Sequence, residues 1–131
     1  MIKIIAEIGC NHMGNIQLAE KMIKAATNAG ADFCKFQTWS VENLKKGPWD
    51  KDGRRQIYEK AQLSFDDHIK LKKICLKYKV GFFTSLFNIN DALMLNKINK
   101  KIIKIPSHEI HNVSLIKKCL SIFDQVLIST G

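Results

Sequence analysis

The sequence has few of the residues on which several classes of protein depend. Two of its 131 residues are proline, and its four cysteines form no CxxC pair. The widely spaced Cys10, Cys34, Cys75 and Cys119 are therefore interpreted as reduced core residues, not as a disulfide framework or a zinc site. No apolar run approaches the roughly 18 residues of a membrane helix, and no secretory signal precedes the first strand. We expect a cytoplasmic protein without a membrane partner.

Arginine is also scarce. The formal net charge is +9, yet only Arg54 and Arg55 are arginine among 21 basic residues, and the lysines are scattered along predicted helix faces. Nucleic-acid-binding surfaces are usually clustered, rich in arginine and interleaved with aromatic residues. We therefore expect no nucleic-acid partner and a solvated lysine surface that favours anionic ligands. Nonspecific polyanion binding through these lysines is a weaker alternative, and it would depend strongly on salt.

Apolar periodicity predicts one domain in which short strands and amphipathic helices alternate. This alternation is typical of an α/β fold with a parallel sheet and right-handed crossovers. Asn15, Ser64 and Asn90 are the predicted helix N-caps. The polar stretch from Ser40 to Leu63 carries several turn signals, and we expect a long loop there, such as a lid or a binding loop.

Two of the predicted strands contain a lysine. In residues 31–39 (ADFCKFQTW), period-two geometry places Lys35 and Gln37 on one face, and residues 102–107 (IIKIPS) repeat the pattern with Lys104. A buried, unpaired ammonium is costly, so two of them suggest carboxylate partners or a bound anion that both can reach. The alternative is that each lysine lies on a sheet edge and extends its ammonium to water.

Polar side chains follow or end every predicted strand. They are Glu7; Lys35 with Gln37; Thr84 with Ser85; Lys104 with Ser107 and Glu109; and Ser129 with Thr130. Ligands of parallel α/β folds bind at the carboxyl ends of the strands, in open sheets and closed barrels alike. Two ammonium groups, several hydroxyls and free amides suit a small phosphorylated or carboxylated molecule. For any one of the serines and threonines, capping of the next helix is an equally good interpretation.

The histidines give weak signals. His108 and His111 lie three residues apart in a predicted loop, but without further ligands this spacing is a poor indication of a metal site. His12 and His68 are expected to cap local structure or to lie on the surface. No metal ligand is therefore predicted within the chain.

In their order and spacing these segments resemble the sialic acid synthase family, which is phosphoenolpyruvate-dependent. The resemblance extends over the whole chain through Ile5–Gly9 (IAEIG) with Asn11, His12 and Gly14; Gly30–Asp32 and Lys35–Thr38; Lys104–Ser107 with Glu109; and Ser129–Gly131. It implies a partial TIM (β/α) barrel of four βα units plus a fifth strand, so that residues 1–131 are the N-terminal part of a synthase domain. The remaining strands, the metal-binding histidines and an antifreeze-like domain are expected beyond Gly131.

The resemblance also implies an activity, condensation of phosphoenolpyruvate with an N-acyl mannosamine-type aldose to a sialic-acid-like nonulosonate for surface carbohydrate. Such a synthase is a homodimer that uses a divalent metal, Mn²⁺ or Mg²⁺, and the chain alone is expected to be inactive. By resemblance, the catalytic candidates are Glu7 and Glu109, and the substrate-binding residues are Lys35, Gln37, Ser85, Lys104, Ser107, Ser129, Thr130 and Gly131. The hexosamine is left open between sialic, legionaminic and pseudaminic types.

Two segments depart from the pattern of that family. Thr84-Ser85-Leu86-Phe87 stands for Ser-Thr-Pro-Phe, and Ser107-His108-Glu109 stands for Ser-Gly-Glu. Four βα units and a fifth strand are also the inventory of a complete flavodoxin-like binding or signalling module. Strand order distinguishes the two folds, because a barrel segment is sequential and the module has the order 2-1-3-4-5.

Overall fold

The computed structural model describes residues 2–130, in which strands and helices alternate as the periodicity predicts. The strands are β1 (Ile5–Gly9), β2 (Phe33–Gln37), β3 (Gly81–Ser85), β4 (Ile102–Ile105) and β5 (Gln125–Ile128). The helices are α1 (Ile16–Asn28), α2 (Arg54–Ala61), α3 (Phe65–Lys77), α4 (Ile89–Ile98) and α5 (Val113–Ile122). Within these residues no helix has the length and the apolar character needed to cross a bilayer.

The strands form one parallel sheet in the sequential order β1-β2-β3-β4-β5. A flavodoxin-like module requires β1 to lie between β2 and β3, so that alternative is wrong. Sequential parallel order with helical connections between consecutive strands is the arrangement of a TIM barrel, of which these five strands form a segment. Consequently the carboxyl ends of all five strands meet along one rim.

Short polar side chains cap helices α1, α3, α4 and α5. The side chain of Asn15 caps α1 as predicted, and Ser64 and Asp67 form a reciprocal capping box at the start of α3. The prediction that Asn90 is the N-cap of α4 is wrong, because the side chain of Asn88 accepts the hydrogen bond at the start of that helix. The two asparagines are two residues apart, and only the backbone geometry shows which one lies outside the first turn.

The two faces of the sheet differ in what covers them. The outer face, including Cys34, Phe36 and Phe82, packs on the helices in one apolar core, in which Cys75 and Cys119 are also buried. On the inner face the rings of Phe33 and Phe83 meet edge to face with centroids 5.7 Å apart. A side chain at Gly81 would overlap the Phe33 ring, so this glycine lets the ring lie across β3. Apolar side chains thus fill the inner face below its carboxyl rim.

The segment from Ser40 to Leu63 is more ordered than the predicted loop. It contains 3₁₀ turns at Val41–Asn43 and Pro48–Asp50, followed by helix α2. A small second core of Trp39, Val41 and Ala61 joins this segment to the barrel. The helix escaped prediction because its sequence, RRQIYEKA, is mostly polar and, at eight residues, too short for Ile57, Tyr58 and Ala61 to give a clear apolar stripe.

Candidate functional site

Five of the predicted site residues share the inner face of the sheet near its carboxyl rim. Strand register pairs Glu7 with Lys35, Gln37 with Ser85, and Ser85 with Lys104. Paired residues of neighbouring strands project to the same side, and this side is opposite to the helix-covered face. The prediction that the two lysines face the same way is therefore confirmed.

Lys35 is 3% exposed in an interior strand, so its interpretation as an edge lysine that reaches water is wrong. Its Nζ lies 2.9 Å from Oε2 of Glu7 and donates to Oγ of Ser85 at 3.3 Å. Burial lowers the pKa of Lys35, the Glu7 carboxylate partly raises it, and the Lys104 ammonium lowers it again. The buried charge is thus balanced by one carboxylate, whose side chain is 54% exposed.

Lys104 is half-buried on β4, between β3 and β5, so it does not lie on an edge strand either. Among residues 2–130, no ion pair to its ammonium is present. Two ammonium groups and a single carboxylate therefore share this part of the inner face. The excess positive charge attracts a small anion to the rim.

A bulge at the end of β1 brings Glu7 and Gln37 together. The register between β1 and β2 shifts between Glu7 and Gly9, where Gly9 has φ +58°. A Cβ at Gly9 would lie 3.3 Å from Oε1 of Glu7 and 3.4 Å from Oε1 of Gln37. The glycine permits both the backbone turn and the close approach of these side chains.

A cavity of about 890 Å³ opens beside the strand ends, between the segment after β2 and the loops after β3 and β4. Its aromatic lining consists of Trp39, Trp49, Tyr58, Phe87 and His108, and its amide lining of Gln37, Asn43, Asn88, Asn90 and Asn112. His108, which stands where the resembled family has glycine, stacks on Phe87 with ring centroids 5.1 Å apart. Sequence reasoning missed this wall because its residues come from separate segments of the chain.

Glu109 is buried at the border of this cavity. One carboxylate oxygen accepts a hydrogen bond from Nδ2 of Asn112 at 2.8 Å, and the other lies 3.5 Å from Nζ of Lys45. Glu109 ends a 3₁₀ turn, Ser107–Glu109, and Ser107 at its start is exposed and lines the cavity. Lys45 was not predicted, since it is 64 residues from Glu109 and no local pattern connects them.

The last predicted site residues follow β5. Ser129 is half-buried, and its N–H donates to the Ile105 carbonyl at 3.1 Å, which prolongs the pairing of β4 with β5. Thr130 is exposed. Gly131 lies outside the described residues, so the roles of these three residues as ligand-binding groups stay predictions.

Sequence reasoning predicts that His12 and His68 cap local structure or lie on the surface. Both are fully buried, so the surface position is wrong, whereas His12 does cap the loop after β1. Nδ1 of His12 accepts a hydrogen bond from the N–H of Gly14 at 3.0 Å, and His68 lies between a carbonyl and a hydroxyl. Burial lowers the pKa of both imidazoles. Within the described part of the chain, no group of three or more His, Cys, Asp or Glu side chains could hold a metal ion.

Known proteins resemble this chain in both sequence and structure. The model of the NeuB family matches residues 22–131. N,N'-diacetyllegionaminic acid synthase from Campylobacter jejuni subsp. jejuni serotype O:2 is 34% identical over 139 residues, which are 98% of this chain and 42% of that protein. Pseudaminic acid synthase from Helicobacter pylori is 31% identical over 140 residues, or 98% of this chain and 41% of that protein.

A solved structure extends the comparison. The N-acetylneuraminic acid synthetase from Leptospira borgpetersenii serovar Hardjo-bovis, in complex with citrate, has a TM-score of 0.88 and 30% identity, and covers 99% of this chain and 45% of that one. This chain spans about two-fifths of the length of the curated relatives that it matches. The family match covers more than half of the chain, and the fold and the strand order agree with it. The chain therefore belongs to the NeuB family.

Proposed function

We propose that this chain provides the phosphoenolpyruvate-binding face of a nonulosonate synthase. The observation that carries the proposal is a pair of lysines on one face of the sheet, of which Lys104 has no counter-ion within residues 2–130. Phosphoenolpyruvate bears a phosphate and a carboxylate on neighbouring atoms, so one small molecule offers an anionic group to each ammonium. The names of the relatives, synthases of legionaminic and pseudaminic acid, support a nonulosonate product.

In the proposed complex, Lys35 and Lys104 bind the phosphate and the carboxylate. Further hydrogen bonds come from Ser85, Ser107, Ser129, Thr130 and Gly131. The aldose occupies the cavity, held by Gln37, which lies both beside Glu7 and on the cavity wall. Its N-acyl group and carbon chain suit the mixed amide and aromatic lining. In this proposal the cavity selects the hexosamine, which the resemblance leaves open between sialic, legionaminic and pseudaminic types.

The proposed reaction forms one carbon–carbon bond and breaks one carbon–oxygen bond. C3 of phosphoenolpyruvate attacks the aldehyde carbon of the open-chain aldose, and the aldehyde oxygen gains a proton. Water adds to the cationic C2 and loses a proton, and the tetrahedral intermediate then expels phosphate by cleavage between C2 and the bridging oxygen. The lysine that binds the phosphate stabilises the charge on that group as it departs. Glu7 and Glu109 orient the aldose or the water and carry the protons.

A divalent metal, Mn²⁺ or Mg²⁺, and a homodimer are part of the proposal on the basis of the resemblance alone. The residues that the structure describes offer no ligand cluster for such an ion.

Calorimetric titration with phosphoenolpyruvate tests the binding part of the proposal. The chain should bind phosphoenolpyruvate, and Lys104→Met should weaken the affinity by roughly tenfold or more, because a charge-assisted hydrogen bond contributes about 1.5–3 kcal/mol. Lys101→Met is the matched control, since Lys101 is exposed just before β4. Equal weakening in both variants, or no binding by the wild-type chain, would contradict the proposal.

Turnover is tested in the intact protein isolated from its source, with phosphoenolpyruvate carrying ¹⁸O at the bridging oxygen. Cleavage of the C2–O bond puts the label in the released phosphate, whereas cleavage of the P–O bond leaves it in the organic product. Labelled phosphate should appear only when an N-acyl hexosamine and the divalent metal are present. Unlabelled phosphate, or none with any N-acyl hexosamine, would overturn the proposed reaction.

A further inference from the structure

We infer that a buried hydrogen-bond chain through His68, Thr38 and Thr84 fixes Ser85, and through it Lys35, which makes Thr84 a positioning residue of the site. The inference rests on the proposed function only in taking Lys35 and Ser85 as ligand-binding groups. Thr84 itself projects to the helix-covered face, opposite to its neighbour Ser85, and does not line the cavity. Its influence on a ligand is therefore indirect.

This hydrogen-bond chain joins three elements of the fold. Oγ1 of Thr38, just after β2, lies 2.7 Å from Nε2 of His68 on α3 and 2.7 Å from Oγ1 of Thr84 on β3. Nδ1 of His68 lies 2.7 Å from the Ser64 carbonyl, immediately before α3. All three side chains are buried, so water cannot replace these hydrogen bonds. A helix and two strand ends are thereby linked by side chains alone.

The donors and acceptors of this chain have one consistent assignment when His68 is neutral. A carbonyl can only accept, so Nδ1 of His68 carries the proton and Nε2 accepts from the Thr38 hydroxyl. Thr38 has then used its only proton, so its oxygen accepts from Thr84 at 2.7 Å. The more distant acceptor for Thr84, the Ser85 carbonyl at 3.1 Å, is not needed.

The surroundings of His68 favour this neutral form. Burial lowers the pKa of His68, and the nearby His12 lowers it further. The Ser64 carbonyl and the Asp67 carboxylate act in the opposite direction, but the effect of burial is larger. The imidazole therefore serves the chain as one donor and one acceptor.

Two further contacts connect the chain to the lysine. The backbone N–H of Thr38 donates to the Ser85 carbonyl at 2.8 Å, so the residue at the centre of the chain also holds the Ser85 peptide. Oγ of Ser85 in turn accepts from Nζ of Lys35 at 3.3 Å. Because β2 ends at Gln37 and β3 at Ser85, the side-chain bonds continue at the rim the restraint that backbone pairing gives within the sheet.

The position of Thr84 in the sequence agrees with this role. It stands where the resembled family has serine, and both residues carry a hydroxyl that can donate to Thr38. Threonine in place of serine at position 84 therefore keeps the hydroxyl that the hydrogen-bond chain requires. The bound ligand does not need to contact residue 84.

The pKa of Lys35, measured by NMR titration of ¹³Cε-labelled lysines, is the main test, because it needs no substrate. Thr84→Val keeps the shape and removes the hydroxyl, so Ser85 should loosen, water should reach the ammonium, and the pKa of Lys35 should rise toward that of an ordinary lysine. Thr84→Ser should leave it unchanged. Thr27→Val is the matched control, since it removes a hydroxyl bonded to the Ile23 carbonyl at 2.8 Å on α1.

The inference is overturned if Thr84→Val leaves the pKa of Lys35 unchanged, or if Thr84→Ser or Thr27→Val shifts it equally. Should Thr84→Val fail to fold, the ¹⁵N shifts of His68 in the wild-type protein decide, because they must show a protonated Nδ1 and a bare Nε2 near pH 7.5. The other tautomer or an imidazolium would refute the chain.

Phosphoenolpyruvate binding separates this inference from the proposed function. Thr84→Val should weaken that binding on the order of tenfold, as expected for the loss of about one hydrogen bond. Suppose that the pKa of Lys35 rises in Thr84→Val as expected, but that the wild-type protein does not bind phosphoenolpyruvate. This result would contradict the proposed function and leave the positioning role of the hydrogen-bond chain standing. Unchanged binding in Thr84→Val would contradict the positioning chain and leave the proposed function standing.

Discussion

The ion pair between Lys35 and Glu7 is asymmetric, because the lysine is buried and the glutamate is half exposed. Water solvates the Glu7 carboxylate whether or not Lys35 is present. The buried Lys35 ammonium, in contrast, is stabilised by the Glu7 carboxylate, the Ser85 hydroxyl and the Phe36 carbonyl. Removal of one partner should therefore differ from removal of the other.

Glu7→Gln should lower the pKa of Lys35 further and reduce the free energy of unfolding by about 1–3 kcal/mol, since it leaves a buried ammonium without its carboxylate. Lys35→Met should cost nothing or should stabilise the fold. Denaturation by urea at pH 7.5 measures both. Glu20→Gln, in the exposed pair with Lys77, is the control and should leave stability almost unchanged, because solvent screens that pair. Equal losses in Glu7→Gln and Lys35→Met would show that the pair does not behave in this way.

At the scale of elements, helix α2 is held by a close approach to the loop after β1. Gly14 has φ +76°, and a side chain there would overlap the backbone carbonyl of Lys60 near the end of α2. His12, two residues earlier, accepts the Gly14 N–H and fixes this loop. Helix α2, which the sequence did not predict, thus packs against Gly14.

Gly14→Ala should destabilise the protein more than Gly30→Ala does. Both glycines have positive φ, +76° and +88°, so both variants should lose about 1–2 kcal/mol from backbone strain. Only Gly14 has a backbone neighbour, so its variant should lose about 1–3 kcal/mol more from the overlap. Urea denaturation measures the difference, and hydrogen exchange should locate the loosening in α2. Equal losses in the two variants would exclude the close contact.

At the scale of the whole molecule, buried histidines should make stability fall in mild acid. The pKa values of His12 and His68 are lowered in the folded state, so the unfolded chain binds protons more readily below about pH 6.5. The free energy of unfolding should therefore decrease as the pH falls from about 6.5 to about 5. Asp91 acts in the opposite direction, since burial raises its pKa to about 6 and the folded state gains its proton first.

Because two histidines oppose one aspartate, we expect a net decrease in the free energy of unfolding, and urea denaturation between pH 7.5 and pH 5 should show it. Asp91→Asn is the informative variant, because its side chain is neutral at every pH and the opposing effect disappears. The decrease should then be steeper. A stability that is flat across this range in both proteins would contradict the burial of neutral histidines.

The open edges of the sheet should make the chain self-associate. Ile4 beside β1 is 56% exposed, and Ile5 on β1 and Ile128 on β5 are each 41% exposed. Exposed apolar side chains on edge strands favour edge-to-edge pairing. Sedimentation velocity should show association that grows with concentration and weakens in Ile4→Lys, with Lys3→Ile strengthening it. A monomer at all concentrations would contradict the prediction.

Much of this protein follows from its sequence. The alternation of strand and helix patterns predicts the parallel α/β fold. The two patterns can be told apart because buried residues recur every second residue in a strand and every third or fourth residue in a helix. Period-two geometry places Lys35 and Gln37 on one face, and Lys104 follows the same pattern. The sequence did not predict α2, a short and mostly polar helix that is stabilised by Tyr58 and Ala61 in the second core and by contacts with Gly14 and Trp39.

Contacts between distant segments depend on strand register and helix docking, which no local pattern encodes. Register places Ser85 between Lys35 and Lys104, and the bulge at Gly9 places Gln37 beside Glu7. The burial of His68, the outward direction of Thr84 and the pairing of Lys45 with Glu109 are of the same kind. The sequence by itself determined which strands carry the chemical groups, since local periodicity sets the face of each side chain. Only the tertiary structure decided which of those groups meet, because their distances are set by packing across the whole sheet.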